Sequence, residues 1–260
     1  PETVVFDLPT EFNANCLPDG TPAQGVDAEA CYMPGNYDEQ HRGPISFRNA
    51  LAQSVNIPAI KVLYLAGIKE SITTARRMGI RGLESAARYG LTLVLGGGEV
   101  SPLDLTEAYG VFANDWVRNA EASVLKVEEN TGAILEEWQP APERVLPEQI
   151  ARQVSDILTD NEARAPAFGA SSALLIPDRE VAVKTGTTNN YRDVWIMAYT
   201  PSLSMGIWAG NNDNTPINKK VACFVVAPIM NSLMRNLLPS LPIETFPKHD
   251  PSPYGLKPIL

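Results

Sequence analysis

Two short groups of residues carry chemistry by type and spacing. The first is Lys184-Thr185-Gly186-Thr187, which follows Val181-Ala182-Val183 in a run with strand character. Side chains alternate faces along a strand, so Lys184 shares a face with Ala182 and Gly186, and Val181, Val183 and Thr185 share the other. A lysine at a cleft supplies fixed positive charge, and Gly186 lets another backbone approach. The hydroxyls of Thr185 and Thr187 suit an anion, so the run reads as a carboxylate-binding edge. A solvated edge lysine followed by a turn fits the same residues. The second group is Ser54-Val55-Asn56, in a break between two helical patterns. It can present a serine to a cleft. It can equally be helix punctuation, with Asn56 capping a helix that opens at Ile57-Pro58.

Elements to position these groups can be read around them. "SFRNALAQ" predicts a helix capped by Ser46, with Phe47, Ala50 and Leu51 on its apolar face. "PAIKVLYLAG" predicts a second, with Pro58 in the first turn and Gly67 past the end. "SITTARRMGI" predicts a third, capped by Ser71. "SPLDLTEAYGVFAND" predicts a fourth, with Ser101 as cap and Asp104 replacing the Glu of a capping box. "SVLKVEENTGAILEEW" carries a hairpin signal at Asn130-Thr131-Gly132. "PEQIARQVSDILTDNEAR" returns to helix, with Ile150, Val154, Ile157 and Leu158 on one face. "REVAVKTGTT", "RDVWIMAYTP" and "LSMGIWAGNN" predict an antiparallel meander, closed by the amphipathic helix "APIMNSLMRNLL". Residues 1–45 are turn-rich and are expected to wrap the surface. Residues 239–260 are expected to form a proline-rich tail or linker. The layout is α+β.

Composition narrows the function classes. A net charge of −9 over 260 residues argues against a nucleic-acid partner. No apolar run is long enough to span a membrane, and no signal peptide is visible. His41, His249 and the three cysteines lack ligand spacing, so no metal is expected. The glycines of "LVLGGGEVSP" do not fit a nucleotide fingerprint and read as a turn before a helix; no cofactor is expected. The chain opens on "PETVVFDLPTEF" without an initiator Met and reads as a fragment of something longer.

Taken together, Ser54-Val55-Asn56 and Lys184-Thr185-Gly186-Thr187 resemble the transpeptidase domain of penicillin-binding proteins. So do three longer stretches: "YMPGNYDEQHRGPISFRNALAQSVNIPAIKVLYLAGI", "YGLTLVLGGGEVSPLDLTEAYGVFANDW" and "KTGTTNNYRDVWIMAYTPSLSMGIWAGNND". The likeness covers roughly residues 1–235 and is to the bifunctional class A type, whose members carry a glycosyltransferase domain and a membrane anchor upstream. It implies a penicillin-binding/serine β-lactamase-like fold over 1–238. The family's third motif, Ser-x-x-Lys, supplies the nucleophile. Only Ser123-Val124-Leu125-Lys126 fits it here, and it is rejected: it lies in a strand-like run, where positions three apart face opposite sides, and it follows the Ser-x-Asn motif instead of preceding it. The nucleophile is therefore expected upstream of this sequence, and the fragment by itself is expected to be inactive.

The resemblance implies a D,D-transpeptidase acting on peptidoglycan stem peptides, with β-lactams as substrate mimics, on the extracytoplasmic face of the bacterial cytoplasmic membrane. Membrane contact would come only through the upstream anchor. Ser54 would relay a proton, Asn56 would hydrogen-bond the substrate amide, and Lys184 would orient Ser54. Thr185 and Thr187 would hold the terminal carboxylate, and the Thr187 N–H would form half of an oxyanion hole. The same fold also serves D,D-carboxypeptidases, β-lactamases and non-catalytic recognition domains. Because the family's domain faces an oxidising compartment, Cys16 and Cys31, which bracket a turn-rich loop, are expected to pair.

Overall fold

The computed structural model describes residues 1–145, 147–188, 191–217 and 222–250. At its centre lies a three-stranded antiparallel meander of β7 (Ala182–Thr187), β8 (Asp193–Thr200) and β9 (Leu203–Gly210), in the order β7-β8-β9. The earlier short strands are β1 (Val4–Asp7), β2 (Gly43–Ser46), β3 (Val117–Arg118), β4 (Lys126–Glu128), β5 (Ile134–Glu137) and β6 (Glu143–Arg144). They pair antiparallel as β1–β2, β3–β6 and β4–β5. The helices are α1 (Phe47–Ala52), α2 (Asn56–Ala66), α3 (Ile68–Arg77), α4 (Pro102–Ala113), α5 (Glu148–Thr159), α6 (Asn161–Phe168), α7 (Ala222–Val225) and α8 (Ala227–Leu237).

The meander is buried on both faces. On one, Val183, Val194, Ile196 and Ala198 pack with Val226, Met230 and Met234 of the α7–α8 region. On the other, Ala182 and Tyr199 meet Leu158 of α5, Phe246, and Tyr109 and Phe112 of α4. Lys184 belongs by alternation to this second face, towards the helical half.

Cap chemistry sets the helix starts. Ser46 Oγ accepts from Asn49 N–H at 3.2 Å and Ser101 Oγ from Asp104 N–H at 3.0 Å. Three local expectations are corrected. The third helix begins after Gly67, and Ser71 lies inside it, donating its hydroxyl to Gly67 O. Asp104 does not close a capping box; its carboxylate is taken by Arg81, which holds it down to about 2. The "PEQIARQVSDILTDNEAR" helix breaks at Asp160, which caps α6 through Ala163 N–H. Its buried face runs through Ala151, Ser155, Ile157 and Leu158, leaving Ile150 exposed.

The tail lies along the domain as far as Asp250. Phe246 is buried edge-on against Tyr199, and its N–H donates to Glu180. Residues 251–260 lie outside the described residues. Cys16 and Cys31 are joined in a disulfide, so the grouping they form with Glu11 has no free thiolate to offer a metal.

β9 and α4 approach closely at Gly206. A Cβ there would collide with Thr106 Oγ1 of α4 and come within 2.8 Å of Met197 Cε. Met197 is the register partner of both Gly206 and Lys184. Gly206→Val should therefore force α4 off the sheet at a cost of about 1–3 kcal/mol. The measurement is the urea midpoint, and an unchanged midpoint would refute the close packing.

Candidate active site

Ser54 is presented by the end of α1. The chain leaves that helix in a Schellman turn: Val55 N–H donates to Ala50 O at 2.9 Å and Ser54 N–H to Leu51 O at 3.1 Å. Val55 and Ala50 also pack together, the apolar contact that accompanies this motif. The residue after the cap in such a turn is left-handed and is usually glycine. Here it is Ser54, at φ +58°. A non-glycine residue in this region stores about 1–2 kcal/mol of strain. The hydroxyl so presented accepts a hydrogen bond from Lys184 Nζ at 2.7 Å.

Asn56 begins α2 but does not cap it. The residue before it, Val55, offers no side-chain acceptor. The cap comes from Asn36, whose Oδ1 accepts from the N–H groups of Asn56 and Ile57 at 3.1 and 3.2 Å. Asn36 is in turn held by Nδ2 bonds to the fully buried Asp7 and to Gln40 O, each 2.7 Å. Asp7 completes its own shell with Arg42 N–H at 2.9 Å. The Asn56 Nδ2 donates to Gly35 O at 3.1 Å, which leaves Oδ1 as the acceptor end of that amide. Sequence reading missed Asn36. It lies in the turn-rich stretch 1–45, and nothing local shows that its side chain reaches a helix start twenty residues away.

Lys184 is half-buried on β7, and its Nζ also donates to Thr185 O at 2.8 Å. Among the described residues no carboxylate pairs with it. Burial pushes its pKa down to about 8. The unfolded chain therefore binds this proton more tightly than the folded one between about pH 8 and 10.5, so the group's contribution to stability rises with pH across that window.

The register of β7 fixes which backbone groups are free. Thr188 N–H points into the sheet, donating to Asp193 O at 3.0 Å. By strand alternation the N–H and C=O of Thr187 and Thr185 point the other way, to the edge that carries no partner strand among the described residues. The Lys184 bond to Thr185 O lies on that edge. The Thr187 hydroxyl is not wholly free: it accepts from Ala222 N–H at 3.2 Å, leaving its own proton to donate. A Cβ on Gly186 would meet only Trp195, at 3.4 Å, so that position is open on its outer side.

The structure thus brings Ser54 against Lys184 and ties Asn56 to the loop at Gly35, while Thr185, Gly186 and Thr187 line the free edge beyond Lys184. Ser123 and Lys126 stay apart from this seam, exposed at the β4–β5 hairpin, and Lys126 pairs with Glu128.

A serine and an amide on one wall thus face a cation and a strand edge that carries no partner strand among the described residues. Residues 23–235 match the penicillin-binding protein transpeptidase domain family, and the chain belongs to it. Its relatives are of the class A type. It is 33% identical over 236 residues to penicillin-binding protein 1A of Aquifex aeolicus, covering 90% of this chain and 31% of that protein. It is 31% identical over 208 residues to penicillin-binding protein 1C of Escherichia coli, covering 80% and 25%. The chain thus spans less than a third of the length of these curated relatives. The fold is shared with penicillin-binding protein 1A of Haemophilus influenzae, at TM-score 0.78 and 21% identity, over 95% of this chain and 40% of that one. It is also shared with PonA1 of Mycobacterium tuberculosis, solved in complex with penicillin V, at TM-score 0.74 and 23% identity, over 86% and 64%. Among the described residues no helix is long and apolar enough to cross a membrane.

Ser54→Gly should stabilise the fold by about 1 kcal/mol relative to Ser54→Ala, because glycine alone accepts the left-handed turn without strain. Both lose the hydroxyl that Lys184 contacts. Paired urea melts test this; equal midpoints would mean that Ser54 carries no backbone strain.

Proposed function

We propose that this chain is the substrate-holding part of a peptidoglycan D,D-transpeptidase, acting on the extracytoplasmic face of the bacterial cytoplasmic membrane. The observation that carries the reading is the Lys184–Ser54 hydrogen bond beside an unpaired strand edge. A stem peptide ending in D-Ala-D-Ala adds along β7, using the outward N–H of Thr185 and the N–H and C=O of Thr187. The Asn56 Oδ1 accepts from a donor amide N–H. The Lys184 ammonium and the Thr185 and Thr187 hydroxyls draw the terminal carboxylate.

The nucleophilic serine is contributed by chain outside these 260 residues. A base beside it, the lysine of its Ser-x-x-Lys motif, takes the hydroxyl proton as the oxygen attacks the penultimate carbonyl, and the oxyanion takes the Thr187 N–H, a type of contact worth about 3 kcal/mol where such donors have been removed. Collapse breaks the C–N bond. Ser54, held by Lys184, passes a proton to the departing D-Ala amine. The acyl group then moves to an amine of a second stem, which loses a proton as the cross-link closes and the serine is regenerated. β-Lactams enter as mimics of the dipeptide. Transfer of the acyl group to water would instead mark a carboxypeptidase or β-lactamase, and absence of any acyl-enzyme would mark a recognition domain.

Labelled penicillin tests the reading in the natural protein that carries this chain. The protein should form a stoichiometric adduct, and Lys184→Ala should slow its formation by about 10²-fold. The second-order rate should fall as pH rises through about 8, since the free enzyme then loses the Lys184 charge. Lys184→Arg, charged throughout, should lack that limb. The 260-residue chain alone should take no label, and an adduct mapped to Ser54 would reassign the nucleophile. Unaltered acylation in Lys184→Ala would sink the proposal.

A further inference from the structure

Among the described residues, two side-chain hydrogen bonds join the two walls of the cleft, and one of them lies outside the family motifs. At the first, Lys184 Nζ meets Ser54 Oγ at 2.7 Å. At the second, the hydroxyls of Tyr37 and Tyr191 meet at 3.0 Å. Each tyrosine continues one wall. On the helical side the line runs from Ser54 to Asn56, from Asn56 to Gly35 O, and through Asn36 to Tyr37. On the sheet side it runs from Lys184 along the edge through Thr185 and Thr187 to Thr188 and the hairpin that holds Tyr191.

Both tyrosines are held from their backbones. Asn36, the residue before Tyr37, is committed to the α2 cap and to Asp7. Tyr191 sits at φ +55°, its N–H donated to Thr188 O at 3.2 Å and its carbonyl accepting from Ile217 N–H at 2.9 Å. The hydrogen bond shared with Tyr191, in which either hydroxyl can donate, raises the Tyr37 phenol above its ordinary value, so Tyr37 stays a neutral hydroxyl at neutral pH. In a pair of phenols one proton joins the two oxygens and the other remains free to donate.

We propose that Tyr37 and Tyr191 are specificity-determining residues that end the cleft on the leaving-group side. The proposal rests on the transpeptidase reading above, which sets the donor's terminal carboxylate against Thr185 and Thr187. A donor whose scissile amide is followed by a single residue with a free carboxylate fits between the two contacts, and the free phenol proton meets an anionic oxygen there. A chain that continues past that residue has to break the Tyr37–Tyr191 bond and push the rings apart. The rings act as the barrier and the hydroxyls act as the latch. Tyr37 is 64% exposed, so the latch is solvated and its selectivity is modest.

The test uses the natural protein carrying this chain and three synthetic donors: a diacylated L-Lys-D-Ala-D-Ala, its C-terminal amide, and the same peptide extended by one glycine. The wild-type protein should release product from the free acid much faster than from the other two. Tyr37→Ala and Tyr191→Ala should each shrink the preference over the extended donor on the order of tenfold, mainly by raising the rate on that donor. Tyr37→Phe, which keeps the ring and loses the hydroxyl, should still exclude the extended donor while narrowing the acid-over-amide preference. Preferences unchanged in both alanine variants would overturn the proposal, as would a wild-type protein that takes the extended donor equally well. A wild-type protein that takes neither these donors nor labelled penicillin would refute the transpeptidase reading itself.

Discussion

The site depends on one unbalanced charge. Lys184 places an ammonium in a half-buried seam and, among the described residues, gives it a serine hydroxyl and a carbonyl oxygen as partners. Neither neutralises it, and desolvation makes the charge costly, which is why its proton is loosely held. A carboxylate beside Lys184 would relieve that cost and occupy the position a substrate carboxylate needs. The chain carries 30 acidic residues, so their absence from this seam requires arrangement. Acids near the helical half are bound by arginines: Asp156 and Asp160 by Arg48, Asp104 by Arg81, Glu107 by Arg118. Asp193, opposite the end of β7, gives its oxygens to Trp208 and Thr188.

A hydroxyl that must meet Lys184 needs a backbone that can aim it. The Schellman turn does so by turning sharply, and it places the residue after the cap in a conformation that a serine resists. Two supports hold the turn against that preference. Packing of Val55 on Ala50 and Ile45 anchors it from inside. The Asp7–Asn36 pair anchors the start of α2 from outside, so that the residues on both sides of Ser54 are fixed. Strain at Ser54 and the distant cap at Asn36 are thus one device: the first points the side chain, and the second keeps the chain from relaxing.

How far this was legible in the sequence follows the range of the interactions. Ser46 and Ser101 announce their helices because cap and capped N–H lie three residues apart. The meander is readable because Val, Ile and aromatic residues fill three adjacent runs joined by short turns. Ser54 and Lys184 were legible as types, yet their contact spans 130 positions and needed the fold. Asn36 was illegible for the same reason, and Asn56 was credited with the cap that Asn36 supplies. Ser71 was misread because a serine one turn into a helix bonds back to a carbonyl as readily as a cap bonds forward to an N–H. Ile150 looked like core because periodicity gives the angular spacing of a face but not which face meets the sheet. The tail looked like a linker because proline dominates its pattern and obscures Phe246, the aromatic that pins it to Tyr199.

A strand edge left unpaired beside a substrate cleft is also an aggregation hazard, since its free N–H and C=O groups would accept any extended chain. On β7 the seam itself restricts that access. Lys184 occupies Thr185 O and bonds the Ser54 turn, which ties that point of the edge to the helical half. Beyond Lys184 the outward backbone groups among the described residues are the Thr185 N–H and the N–H and C=O of Thr187. The contacts that hold the Ser54 hydroxyl therefore also limit how much of this edge an extended chain can reach.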